Sequence, residues 1–234
     1  MGSIKCKNKV VLSGEIADRK FKYSHSDSNI DFYEMHIAVF RKSGTEDVVP
    51  VIFTEDILDT QRNYKGAFVT VNGEYVSRNE NGKLILQVKA ESIEFVHDFP
   101  CCEENSIELN GYVCKKPVYR ITPSGKEITD VIIACNCSGK TSYIPCICWD
   151  NTARIAGYLK VGSKVSLIGR IQSREYTKIT EKGKSETRIA YEVSIRYMKR
   201  EKNENSRVKR NKCRKLQKIR ERRLPVCTKN YGVR

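Results

Sequence analysis

The feature that most limits what this chain can fold into is an internal duplication. Leu12-Ser13-Gly14 is answered by Leu109-Asn110-Gly111, and His36-Ile37-Ala38-Val39 by Ile132-Ile133-Ala134-Cys135. Pro50-Val51-Ile52-Phe53 returns as Pro145-Cys146-Ile147-Cys148, Val71-Asn72-Gly73 as Leu167-Ile168-Gly169, and Ser77-Arg78 as Ser173-Arg174. All of these pairs lie about 96 positions apart, so a domain-sized unit occurs twice. The 234 residues hold two such units if each is small. Pro100 and the acidic pair Glu103-Glu104 mark the boundary between a first domain, 1–98, and a second, 105–198.

The units read as sheet. In Lys164–Gln172 the apolar Val165, Leu167 and Ile171 share one face, and Gly169 interrupts where a curved sheet needs a bend. Ile189, Tyr191, Val193, Ile195 and Tyr197 alternate in Arg188–Met198, and a polar loop, Thr180–Glu186, joins the two strands into a long hairpin. Helix is scarce: Glu55–Tyr64 and Asn151–Leu159 are expected as short helices at equivalent places in the two units.

That hairpin carries Arg170, Arg174, Lys178, Lys182, Lys184 and Arg188 with Tyr176 among them. Cations that track phosphates, interleaved with a ring that stacks on a base, are what a single-stranded nucleic-acid groove requires. The alternative is a solvated charged face. The first unit has Glu74, Arg78, Glu80 and Gly82 at the corresponding strand, so it keeps the fold signals and loses most of the groove chemistry. Its remaining candidates are Lys20, Lys22, Tyr23, Phe32, Tyr33 and Arg41, whose aromatics read equally well as core. After Met198 the composition changes. Lys199–Arg234 has fifteen basic residues against three acidic ones, +12 of the chain's +15, and reads as a disordered or conditionally helical tail.

Catalysis finds no support. His25, His36 and His97 do not recur in the second unit, and no nucleophile–base or phosphate-loop pattern is present. Asp130, Asp150 and Glu192 read as solvated strand ends rather than metal ligands, and no cofactor is expected. No apolar run approaches the roughly 20 residues of a membrane span, and no secretory h-region is legible, which points to the cytoplasm and away from a disulfide framework. Cys135, Cys137, Cys146 and Cys148 form two C-x-C pairs across a hairpin. They read as small buried or half-buried thiols, with zinc as the alternative.

Four blocks carry a resemblance: the L-x-G opening strand, the P-x-x-R-x-T-P-S-G turn from Pro117, the W-D-N-x-A-R-x-A run from Trp149, and Gly169-Arg170-Ile171-Gln172-Ser173-Arg174-Glu175-Tyr176. Their order and spacing resemble the bacterial single-stranded DNA-binding protein family over almost all of Asn105–Met198. The resemblance implies a five-stranded oligonucleotide-binding (OB-fold) barrel. With the duplication, the expected architecture is all-β: two tandem five-stranded OB-fold barrels, each with a short helix, plus a basic C-terminal tail at 199–234. The resemblance also places base-stacking rings at Tyr143, Trp149 and Tyr176, and phosphate contacts at Arg120 and Lys126. Arg170, Arg174, Lys178, Lys184 and Arg188 supply the charge. For Trp149 the alternative is a plug in the barrel end. The expected partner is single-stranded DNA, in replication, recombination or repair at the nucleoid, with RNA as the alternative. A scaffold with a nonspecifically binding tail is the reading from another class. By analogy, a chain of two barrels dimerises into a four-barrel body. The basic tail departs from the family's acidic one.

Overall fold

The computed structural model describes residues 6–27, 30–41, 43–96, 104–137, 139–179 and 185–201, with the side chains of 24–27 and 178–179 excepted. The first half contains β1 (Asn8–Ile16), β2 (Lys22–Asp27), β3 (Ile30–Phe40), β4 (Glu46–Phe53), β5 (Phe68–Glu80) and β6 (Lys83–Phe95). The second contains β7 (Asn105–Val113), β8 (Val118–Ile121), β9 (Glu127–Cys137), β10 (Lys140–Trp149), α1 (Asp150–Gly157), β11 (Lys164–Ile179) and β12 (Ser185–Arg200). The chain up to Arg200 groups as one compact unit.

The two halves use one pairing pattern. β1 pairs with both β3 and β5, so the ladder β1-β3-β4-β6-β5 returns to its start, with β4 and β6 parallel. β7 pairs with both β9 and β11, and β7-β9-β10-β12-β11 closes in the same way. β2 and β8 extend β3 and β9 outward. Closure requires the opening strand to leave one neighbour for the other, and there the backbones crowd. A Cβ on Gly14 would overlap the Ala38 carbonyl, and one on Gly111 would lie 2.6 Å from the Ala134 oxygen. The repeated L-x-G landmark is therefore a steric condition for closing each ladder. Alternation along the strands fills the two interiors: Val10, Leu12, Ile37, Val51, Val71 and Val88 in the first half, Ile107, Leu109, Ile133, Ile144, Leu167 and Val193 in the second, all buried.

Only one of the two expected helices forms among the described residues. α1 buries Ala153 and Ala156, and the Thr129 hydroxyl donates to the Ala153 carbonyl at 2.7 Å. Glu55–Tyr64 makes turns instead. The Asp59 carboxylate accepts from the Gln61 amide and the Asn63 side chain from the Lys65 amide, so short polar side chains take the place of helical carbonyls. The hairpin strands also run further than their alternation suggested, to Ile179 and from Ser185.

The halves are joined by antiparallel pairing of β1 with β7, centred on Val10 and Ile107. Within each half an asparagine extends a ladder, β1 on β5 in the first and β7 on β11 in the second. Asn8 accepts from the Tyr75 amide and donates to the Tyr75 carbonyl (3.0 and 2.9 Å), and Asn105 does the same to Ile171 (2.8 and 2.7 Å). A side-chain amide carries the donor and acceptor of a peptide, so each Asn satisfies one backbone position on the neighbouring strand. Further out, the Ser77 amide donates to Ser142 Oγ and the Tyr143 amide to Ser77 Oγ. At the related position the Val48 amide donates to Ser173 Oγ and the Ser173 amide to Asp47 Oδ1.

Candidate nucleic-acid interface

A groove of about 690 Å³ lies on the second half, lined by Lys126, Trp149, Arg170, Gln172, Arg174 and, from the first half, Arg41. Four residues expected from the sequence thus meet there. Lys126 comes from the β8–β9 turn, Trp149 from the end of β10, and Arg170 and Arg174 from β11. Trp149 is half-buried. Its indole N–H donates to Ser194 Oγ at 3.2 Å, which fixes the ring by one edge while it lines the groove. The register break between Ile168 and Gly169 sits beside this wall, where a Cβ on Gly169 would lie 2.6 Å from the Ser194 carbonyl.

Arg41 is the residue that sequence reasoning left outside the second half's site. Its guanidinium is held in two places by Asp47 (Nε to Oδ2 2.7 Å, Nη2 to Oδ1 2.5 Å), and the Asp47 side chain is only 1% exposed. Because Asp47 Oδ1 also accepts from the Ser173 amide, the start of β4 in one half is docked on β11 of the other. The charges are crowded. Burial holds the Arg170 guanidinium below its ordinary pKa, Arg41 and Arg196 lower it further, and Asp47 opposes them. Arg41 itself is raised by its hydrogen bond to Asp47. Cations partly stripped of water and set beside one another favour an arriving polyanion.

The other expected residues lie elsewhere. Tyr176, 37% exposed, is the register partner of Arg188 on the outer part of the β11–β12 hairpin, and Arg188 is held by Glu186 at 2.7 Å. Tyr143, 48% exposed, stands on β10 beside the Ser77–Ser142 seam, outside the groove. Arg120 on β8 is engaged by Asp130 (2.8 Å) and does not line the groove. Lys178 pairs with Glu186 in the ladder, its side chain lying outside the described residues, as do Lys184, Lys182 and the tail beyond Glu201.

At the related place on the first half a smaller groove, about 300 Å³, is lined by Glu74, Val76, Arg78, Gln87, Lys89 and Phe32. Glu74 and Val76 stand where the second half has Arg170 and Gln172. Lys89 lies over the Phe32 ring at 5.4 Å, and Gln87 hydrogen-bonds Glu34. The expected reading of buried or half-buried thiols holds for Cys135, Cys146 and Cys148, while Cys137 departs from it. Cys146 and Cys148 are buried in the second half's core, away from Cys135 and Cys137, which meet Cys6 instead. Cys6 and Cys137 form a disulfide. The partner was hidden because only the β1–β7 seam carries residue 6 to β9: the Asn110 amide donates to the Lys7 carbonyl at 2.8 Å.

Comparison with known proteins adds the following. Residues 104–210 match the model of the single-strand binding protein family. Single-stranded DNA-binding protein B of Bacillus subtilis is 36% identical over 80 residues, 31% of this chain and 71% of that protein. The single-stranded DNA-binding protein of Halalkalibacterium halodurans is 32% identical over 80 residues, and the match spans about half of its length, 48%. In fold, the wild-type single-stranded DNA binding protein from Thermus aquaticus superposes with a TM-score of 0.68 at 20% identity, covering 85% of this chain and 95% of that one. Among the described residues no helix is long and apolar enough to cross a membrane.

Proposed function

This chain belongs to the single-strand binding protein family, and from that premise we propose that it is a non-catalytic single-stranded DNA-binding protein whose main binding surface is on its second half. The observation that carries the reading is the groove in which Trp149 stands among Lys126, Arg170, Arg174 and Arg41. An aromatic ring supplies a face that any base can stack on, and the cations track the backbone. From this groove the strand passes along the β11–β12 hairpin toward Tyr176 and Arg188, with the basic tail adding sequence-independent affinity. The two closed ladders are tandem OB-fold barrels, 1–98 and 105–198, the first with a degenerate groove. Glu74 at the place of Arg170 supports that division. The setting is replication, recombination or repair at the nucleoid. Oligomerisation belongs to the same reading. Ile168 and Tyr197 are register partners and both exposed, and they form an apolar strip suited to a second copy of the chain.

Trp149 is the only tryptophan, so its emission reports the groove alone. Saturating oligo(dT) is expected to quench it, and competition at matched salt is expected to rank oligo(dT) above duplex DNA. Unchanged emission on a bound complex would remove Trp149 from the interface. Stronger competition by duplex would favour the scaffold reading, and by single-stranded RNA an RNA-directed module.

A further inference from the structure

Three sulfurs converge where the segment before β1 meets β9. Cys135 and Cys137 are two apart on a strand and so project to one side of the sheet. Cys6 reaches the same point from the other half. Cys135 Sγ lies 3.8 Å from Cys6 Sγ and 3.5 Å from Cys137 Sγ, and all three sulfurs fall within 4.8 Å of one another. Cys6 and Cys137 are bonded, with their Cα atoms 5.6 Å apart. The other described thiols have different surroundings: Cys146 and Cys148 are core, and Cys114 lies against the Ile132 carbonyl.

We propose that, once the Cys6–Cys137 bond is reduced, Cys6, Cys135 and Cys137 form a thiolate site for one Zn²⁺ ion, which replaces the disulfide as the tie between the start of β1 and β9. Four tetrahedral Zn–S bonds of about 2.3 Å place neighbouring sulfurs about 3.8 Å apart. Cys135 already stands near that separation from both partners, so only the Cys6–Cys137 pair has to open. Cys6 is exposed and precedes the first ladder residue, whereas Cys135 and Cys137 are fixed by β9, so Cys6 is the ligand free to adjust. Its exposure leaves the fourth position to water.

The chemistry balances. A phosphine reductant takes one oxygen from water as the S–S bond breaks, giving two thiols and the phosphine oxide. Binding Zn²⁺ then exchanges three S–H bonds for three Zn–S bonds and releases three protons. The resulting site carries one net negative charge.

The full chain, reduced with a phosphine and freed of reductant without air, is titrated with Zn²⁺. Bound metal is counted by elemental analysis, and released protons with an indicator in weak buffer. Co²⁺ serves as the optical probe of thiolate coordination. One equivalent with close to three protons is expected. It should persist when Cys101, Cys102, Cys213 and Cys227, all outside the described residues, are changed to Ser. It should be lost, or weakened at least tenfold, in Cys6→Ser. That residue lies outside the core, so circular dichroism and Trp149 emission of Cys6→Ser should match the parent. An equivalent retained by Cys6→Ser, lost in the four-serine variant, or absent from the reduced parent would each overturn the site. None of these outcomes touches oligo(dT) binding through the groove, so this test and that of the binding reading fail separately.

Discussion

At the scale of single residues, the proposed binding groove combines a fixed ring with crowded cations. Trp149→Ala is expected to cost about 1–3 kcal/mol of oligo(dT) affinity, the range for losing one stacked base. Arg170 should behave differently. Its guanidinium is partly desolvated beside Arg41 and Arg196, so its charge is a cost to the unliganded fold and a gain to the complex. Arg170→Gln is expected to lower the salt slope of single-strand binding by about 0.7, the contribution of one phosphate contact, and to leave the melting temperature unchanged or higher. A melting temperature well below the parent's would mean that Arg170 is a structural residue. Away from the groove, the fully buried Tyr75 hydroxyl has no hydrogen-bond partner among the described residues. A phenylalanine there removes a desolvated polar group and keeps the ring. Tyr75→Phe should therefore stabilise the chain by about 1 kcal/mol in a denaturant titration, and a loss of stability would show that a water satisfies the hydroxyl.

At the scale of elements, two devices do separable jobs. The Asn8 and Asn105 amides continue the β1 and β7 ladders with side chains, each satisfying a backbone N–H and C=O on the neighbouring strand. Asn105→Ala leaves the Ile171 amide and carbonyl unpaired and is expected to destabilise by about 1–3 kcal/mol. Because Ile171 adjoins Arg170 on β11, oligo(dT) affinity should fall with it, and equal affinity at full folding would dissociate this β7–β11 contact from the groove. The outer hairpin is the second device. Tyr176 and Arg188 face one another across β11 and β12, beyond the register that closes the ladder. Tyr176→Ala should weaken binding by about 1–3 kcal/mol with little change in melting temperature. A variant that binds normally and melts early would return the ring to a packing role.

At the scale of the whole molecule, the halves share one groove. Asp47 of the first half holds Arg41 against the second half's wall and accepts from the Ser173 amide, so the proposed binding surface is assembled across the seam. The role proposed for the basic tail is one of longer range. Deleting 199–234 is expected to reduce affinity for every polyanion, duplex included, with the slope falling by about 0.7–0.9 for each phosphate released. The preference for single strands should survive, since stacking needs unpaired bases. Loss of that preference on truncation would relocate recognition to the tail.

What the sequence determined by itself was the repeated plan. Period-two alternation, the glycines of Leu12-Ser13-Gly14 and Leu109-Asn110-Gly111, and the family blocks are local patterns, and closure of each ladder depends on those same local sterics. Trp149, Arg170 and Arg174 were legible for the same reason, being carried by blocks of matching order and spacing, and Lys126 by adjoining one. Three things depended on tertiary structure. Glu55–Tyr64 carries helix-compatible residues, and only its side-chain-to-backbone bonds in place show why it turns instead. Arg41 lies 108 positions before Trp149 and enters the groove only through the contact of Asp47 with Ser173. Cys6 is about 130 positions from Cys135 and Cys137, and no periodicity relates them. Contacts of that separation are set by how two folded units dock, and that docking follows from the pairing of β1 with β7, which no single strand encodes.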